Sequence, residues 1–253
     1  MKLIFFGIAG AVQTADNTNV SIAIAHENEA VLIDASGSPF QSLLRAGIRA
    51  DDLGALVLTH RHPDHLYALP LLIQDLSLVK RHNPLKIVCN RNTEKTAKQL
   101  LDVFDLSPAS VGFPIEWMSA EKEFECIPDV RINTFPVNHS IPTSGVKLST
   151  ATACLVYTSD TAPSERVIIE STGATALIHE STGSDRHRIE LNADGHSSAL
   201  QAGVTAAKSD VSTLYLCHFN FDLGTPPEAL RAEASTAFGG KVIVPKPFKV
   251  YTV

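Results

Sequence analysis

The apolar residues of this chain fall into short runs, broken by Gly, Pro, Asn and Asp, whose period switches between strand and helix. "KLIFFG" (2–7), "VSIAIAH" (20–26) and "AVLID" (30–34) read as strands, with "HENE" turning between the second and third. "FQSLLRAG" (40–47) has helical spacing and stops at Gly47. "ALVLTH" (55–60) opens on a continuous apolar run, the pattern of a strand buried on both faces. From His65 to about Lys80 the spacing is helical, and "KIVCN" returns to a strand. "NTEKTAKQLLDVF" then predicts a helix opening on Asn92 or Thr93. Residues 113–157 are mostly β, in "FPIEWM", "EFECIP", "VRINTFPVN", "VKLST" and "ACLVYTSD". The rest alternates helix (near 164–171, 197–208 and 226–237) with strand ("ALIHE", "TLYLCH", "KVIVP"). This order predicts one α/β domain over residues 1–253, two sheets packed together with helices on their outer faces.

Composition narrows the class. A chain of 253 residues is long enough for one large domain with a buried core, and 44% hydrophobic with 19% charged residues is ordinary for a globular protein. The formal charge is -6, and Lys80–Arg81 is the one basic doublet, so the sequence predicts no concentrated patch for a phosphate backbone. The opening "MKLIFFGIAGAVQTADNT" reads as a first strand, not a signal peptide. No apolar stretch reaches the roughly 18 residues of a membrane span. Cys89, Cys126, Cys154 and Cys217 lie far apart with no C-x-x-C, as expected of buried thiols in a reducing compartment. A soluble cytoplasmic protein is expected.

One stretch asks for a chemical explanation. "LVLTHRHPDHLYALP" (56–70) packs His60, His62, Asp64 and His65 into six positions directly behind an apolar strand. Neutral imidazole and carboxylate are good ligands for zinc and similar divalent ions. Just past the strand, His60 and His62 can reach one ion, while Asp64 and His65, at the turn into the helix, can face a second. More ligands are needed, and ionisable residues recur at the ends of later strands: His139, Asp160, His179 with Glu180, and His218. Singly, each is more often a satisfied core residue or a loop group. Together, behind so dense a motif, they read as a metal centre on the rim of a sheet. Cys217 alternates away from His218 and reads as core. His26, His82 and His187 read as exposed, and Trp117 as packing.

"THRHPDH", "VNHS", "YTSDT", "LIHEST", "GHSSALQAG" and "LCHFN" occur in the order seen in the metallo-β-lactamase superfamily, and most resemble its ribonuclease Z branch of tRNA 3′-processing endonucleases and related phosphodiesterases. The resemblance implies an αββα sandwich with the metal site at one edge of the two sheets. It implies that His60, His62 and His139 hold one zinc, that Asp64, His65 and His218 hold the other, and that Asp160 bridges them. It also implies that His179, Glu180 and His196 lie where the branch supports protonation of the leaving group. The sequence departs from the pattern in places. Ala68 stands where a Gly is common, "IDASGSP" replaces an acidic-Gly stretch, "FNFDL" lacks an Arg often found after the last His, and no long basic insertion forms a tRNA-gripping arm.

Two zinc ions sharing a solvent molecule lower its pKa from about 15.7 towards about 7, so a metal-bound hydroxide is the expected nucleophile. Manganese or iron would serve the same ligands. Asp64 is expected to orient the nucleophile, His196 to protonate the leaving group and Glu180 to hold the imidazole charged. Three activities share such a centre. A phosphodiesterase acting on a compact substrate is favoured by the "HEST" and "GHSSA" pair. A hydrolase of a lactone, thioester or sulfate ester is the alternative, as is a tRNA 3′-endonuclease. Redox chemistry is disfavoured by His62, Asp64, His65 and His218 together, and an inactive scaffold by the full set of ligand types. The expected partner is a small ester or phosphodiester rather than nucleic acid or a membrane, and a homodimer is left open.

Overall fold

The computed structural model describes residues 1–119, 121 and 123–253 and contains two seven-stranded mixed sheets. The first is made of β1 (Lys2–Gly7), β2 (Ser21–His26), β3 (Glu29–Ile33), β4 (Leu53–Leu58), β5 (Leu85–Cys89), β6 (Ile115–Met118) and the terminal β14 (Val250–Thr252). The second holds β7 (Phe124–Ile127), β8 (Val130–Pro136), β9 (Ser144–Ser149), β10 (Cys154–Tyr157), β11 (Ala176–Glu180), β12 (Thr213–Cys217) and β13 (Lys241–Ile243). Their spatial orders are β14-β1-β2-β3-β4-β5-β6 and β13-β12-β11-β10-β9-β8-β7. Each sheet is antiparallel along one flank and parallel along the other, over β3–β6 and β10–β13. Parallel neighbours need crossovers. In the first sheet these carry α1 (Pro39–Arg45), α2 (Pro63–Leu66), α3 (Leu69–Leu78), α4 (Arg91–Val103) and α5 (Pro108–Val111). In the second they carry α6 (Glu165–Ser171), α7 (Arg188–Ala193), α8 (Ala199–Lys208) and α9 (Pro227–Ala237). The architecture is the αββα sandwich.

Strand periodicity explains why the runs are apolar throughout. Leu3 and Phe5 of β1, with Ala55 and Val57 of β4, join the core between the sheets. Their alternates Ile4, Phe6, Leu56 and Leu58 join a second core beneath α1, α3 and α4. Both faces are dry, so no polar alternation survives.

Several local expectations are corrected. The helical stretch after His65 is broken into α2 and α3 around Tyr67 and Ala68. Pro70 enters the first turn of α3, where its missing N–H costs nothing, and the Ala68 N–H donates to the Ala35 carbonyl. The helix placed at Asn92 or Thr93 starts at Arg91, because Asn90 is its cap and accepts from the Thr93 N–H at 3.0 Å. Strand β14 pairs with β1 at the sheet edge. His26 and His187 are half-buried, whereas His82 is exposed. Cys89, Cys126 and Cys217 are buried and Cys154 is half-buried. The basic doublet is half internal: Arg81 is 2% exposed, its guanidinium donating to the carbonyls of Ala50, Leu53, Asn83 and Pro84. Among the described residues, no helix is long and apolar enough to cross a membrane.

Candidate metal centre

Parallel strands β3, β4, β10, β11 and β12 end at a common rim. Asp34 follows β3, Thr59 and His60 follow β4, Asp160 lies three residues beyond β10, Glu180 closes β11 and His218 follows β12. Asp34 (φ 61°), Ser159 (φ 55°) and His218 (φ 60°) all adopt left-handed backbone there. Each costs on the order of 1–3 kcal/mol, held in place by the surrounding structure.

The structure draws the seven proposed ligands into two adjoining sets. Ligand-type atoms of His60, His62, His139 and Asp160 lie within 4.8 Å of one another, and so do those of Asp64, His65, Asp160 and His218. Asp160 belongs to both. Its Oδ2 lies 3.7 Å from His60 Nε2 and 4.0 Å from His139 Nε2 on one side. On the other it lies 3.4 Å from His65 Nε2 and 3.2 Å from His218 Nε2. Asp64 Oδ2 completes the second set, 3.3 Å from His65 and 3.5 Å from His218. His179 is not among these atoms: it is buried, with Nδ1 donating to the Glu180 carbonyl at 2.7 Å. Glu180 and His196 lie outside both sets around Asp160 but adjoin the second: Oε1 to Nδ1 is 2.9 Å, their ligand-type atoms lie within 4.8 Å of those of His218, and the His196 ring stacks 5.3 Å from that of His218.

These donors fit divalent ions. His65 Nε2, His218 Nε2 and Asp160 Oδ1 are buried without a hydrogen-bond partner, which is costly for polar atoms unless something else satisfies them. His62 Nδ1 lies 3.1 Å from both His60 Nε2 and His139 Nε2. Burial lowers the pKa of His60, His62 and His139, so the first set presents neutral imidazoles, the form a metal takes. In the second set burial works against charge, but carboxylates outweigh it: Asp160 and Asp34 raise His65. Asp64 and Asp160 are held ionised, burial being overcome by His218 and His65.

Residues 29–219 match the family model described as a beta-lactamase superfamily domain. The chain belongs to the beta-lactamase superfamily. It is a metal-dependent hydrolase of that superfamily. A protein of Ignicoccus hospitalis named ribonuclease Z is 26% identical over 243 residues, covering 77% of this chain and 80% of that one. The solved metallo-beta-lactamase fold protein YhfI from Bacillus subtilis superposes with a TM-score of 0.84 at 23% identity, over 99% of this chain and 98% of that one. The short form of human tRNase Z gives a TM-score of 0.80 at 19% identity, over 100% and 99%.

In this beta-lactamase superfamily chain the rim also carries residues that sequence reading passed over. Asp34 is fully buried and accepts from His65 Nδ1 at 2.8 Å. It also accepts from the Thr59 N–H at 2.9 Å and from the Thr59 hydroxyl at 3.0 Å, that hydroxyl in turn accepting from His60 Nδ1 at 3.0 Å. The second sheet repeats the device. Glu180 accepts from Thr182 Oγ1 at 2.8 Å, and Thr182 lies 3.2 Å from His218 Nδ1. His139 Nδ1 donates to the Gly195 carbonyl at 2.9 Å; Gly195 has φ +85°, and a Cβ there would fall 2.9 Å from that same nitrogen. With these oxygens accepting from Nδ1, the rings of His60, His65, His139 and His218 turn Nε2 towards the centre. Asp34 could have been found from sequence, because it ends "AVLID" as Asp160 ends "CLVYTSD" and Glu180 ends "ALIHE". Asp34→Asn keeps the shape but can turn an N–H towards His65, and is expected to cost about 10–100-fold in metal affinity or activity. Metal titration of the purified variant checks this, and an unchanged affinity and rate would remove Asp34 from the centre.

Proposed function

We propose that this chain is a dinuclear zinc phosphodiesterase of the ribonuclease Z-like type, acting on a compact substrate. His60, His62 and His139 would hold one ion, Asp64, His65 and His218 the other, with Asp160 shared. When bound, the ions supply Lewis acidity and a water acidified towards a pKa of about 7. Asp64, kept ionised at the centre, accepts a hydrogen bond that aims the attacking water. His196 gives its proton to the leaving oxygen.

The observation that carries this choice of bond is the Glu180–His196 pair. Burial alone would lower the His196 pKa, but the Glu180 carboxylate at 2.9 Å outweighs it and raises it to about 9. An imidazolium beside the metal centre suits an alkoxide leaving group, which is a poor one until protonated. Thioester hydrolysis would use the same metals but expels a thiolate, which has less need of this donor; a lactone or sulfate ester also releases an alkoxide and is separated by comparing turnover of the substrates.

A compact substrate is supported by charge. Formal net charge is -6, and one half of the basic doublet, Arg81, is engaged with backbone carbonyls in the interior. The stretch between His139 and Asp160 is taken up by β9, β10 and their turns. The ribonuclease Z relatives favour a second reading, a tRNA 3′-endonuclease. Metal-loaded protein is expected to turn over bis-p-nitrophenyl phosphate faster than lactone, thioester or sulfate ester substrates, and to prefer small diesters over precursor tRNA across a salt series. Tight, strongly salt-dependent tRNA binding with cleavage at the 3′ side of the acceptor stem would establish the endonuclease instead.

A further inference from the structure

A cleft of about 360 Å³ opens beside the centre, walled on one side by Gly10, Ala11 and Val12 and on the other by residues around α7. His196 and His218 both line it, and the unpartnered His218 Nε2 is in a side chain only 3% exposed. The near wall is tight: a Cβ on Gly10 would stand 3.2 Å from the His218 ring. An alcohol released from phosphorus that takes its proton from His196 therefore has this cleft to occupy.

Among the described residues, the charged ones lining the cleft, apart from its histidines, are Glu190 and Asp194, both exposed, with no Lys or Arg beside them in the lining. The neighbouring cations are engaged elsewhere. Arg186 donates to His187 Nε2, to the Leu223 carbonyl and to Thr225 Oγ1, and Arg188 lies 3.6 Å from Asp185. In a polynucleotide the leaving alcohol carries another phosphate one nucleotide on, which would have to enter a cleft lined by two carboxylates.

We infer that this cleft receives the leaving group, and that Glu190 and Asp194 select there for an alcohol bearing no negative charge of its own. The inference rests on the phosphodiesterase reading and names its substrate class: a phosphodiester with a neutral or cationic leaving alcohol. Like charges in a partly solvated cleft discriminate modestly, by about three- to thirtyfold, and less as salt rises.

The test uses zinc-loaded full chain and two methyl aryl phosphates whose leaving phenols carry para-trimethylammonio or para-carboxylate groups. Wild type is expected to favour the ammonium substrate. In Glu190→Gln/Asp194→Asn the ratio of the two kcat/KM values should move towards the carboxylate by about tenfold, intrinsic leaving-group differences cancelling between the two proteins. Metal-free protein should show the same shift in its relative binding of the two free phenols, measured by calorimetry. Turnover of both diesters with an unmoved ratio overturns the selection while leaving the phosphodiesterase reading intact. No diester turnover in either protein overturns that reading and the inference with it.

Discussion

His196→Ala is expected to lower the turnover of an alkyl phosphodiester by about 10²–10⁴-fold while metal content stays at the wild-type value. The magnitude is that of removing a positioned general acid. The ring packs 4.9 Å from that of His139 and 5.3 Å from that of His218, with its Nδ1 2.9 Å from the Glu180 carboxylate, and is not in either of the two ligand sets around Asp160. The loss should shrink for p-nitrophenolate, which leaves with little help. Equal losses for good and poor leaving groups would reassign His196 to binding or structure. The pH profile gives a second check. A general acid works while protonated, so kcat/KM should fall as pH rises through its pKa, which Glu180 raises to about 9 in the protein. Glu180→Gln removes that charge, so the alkaline limb should move to lower pH. Because Thr182 links Glu180 to His218, the profile must be recorded at saturating metal.

Asp160→Ala is expected to cost more than the loss of an orienting partner, beyond about 10²-fold in rate, with metal content falling from about two ions per chain towards one or fewer. The reason is geometric. Asp160 Oδ2 lies within 4.0 Å of His60, His65, His139 and His218, so one truncation takes a donor from both sets. It also removes the charge facing four imidazoles in a nearly dry site. Elemental analysis of the loaded proteins checks the stoichiometry. Chelation of wild type should abolish activity, and zinc should restore it. Ions present at about a thousand times their dissociation constant add about 4 kcal/mol per site, so stripping both should lower the midpoint of thermal unfolding by on the order of 20 °C. A fully active one-metal form, together with normal metal binding by His218→Ala, would show that the centre is not dinuclear.

Local pattern alone was enough to read most of the elements and to single out the ligand-type residues that gather at the rim. Runs such as "ALVLTH" are apolar at every position because β4 buries Ala55 and Val57 on one face and Leu56 and Leu58 on the other, and that pattern is local. The dense motif from His60 to His65 was legible for the same reason: a strand end followed by one turn brings its residues together without help from the rest of the chain. Capping and helix breaks were only partly legible, since Asn90 and Pro70 shift boundaries through single hydrogen bonds that periodicity does not record. What stands behind the candidate ligands depends on how the sheets pack. Asp34 meets His65, and Thr182 meets His218, because β3 lies beside β4 and β11 beside β12, and strand adjacency is set by the packing of whole sheets. Packing likewise took Arg81 out of the surface charge and brought the Gly10–Val12 loop and α7 to opposite sides of one cleft. Side-chain period says which face a residue takes; which residues face each other across that surface is fixed only when two sheets and their crossovers close on a common core.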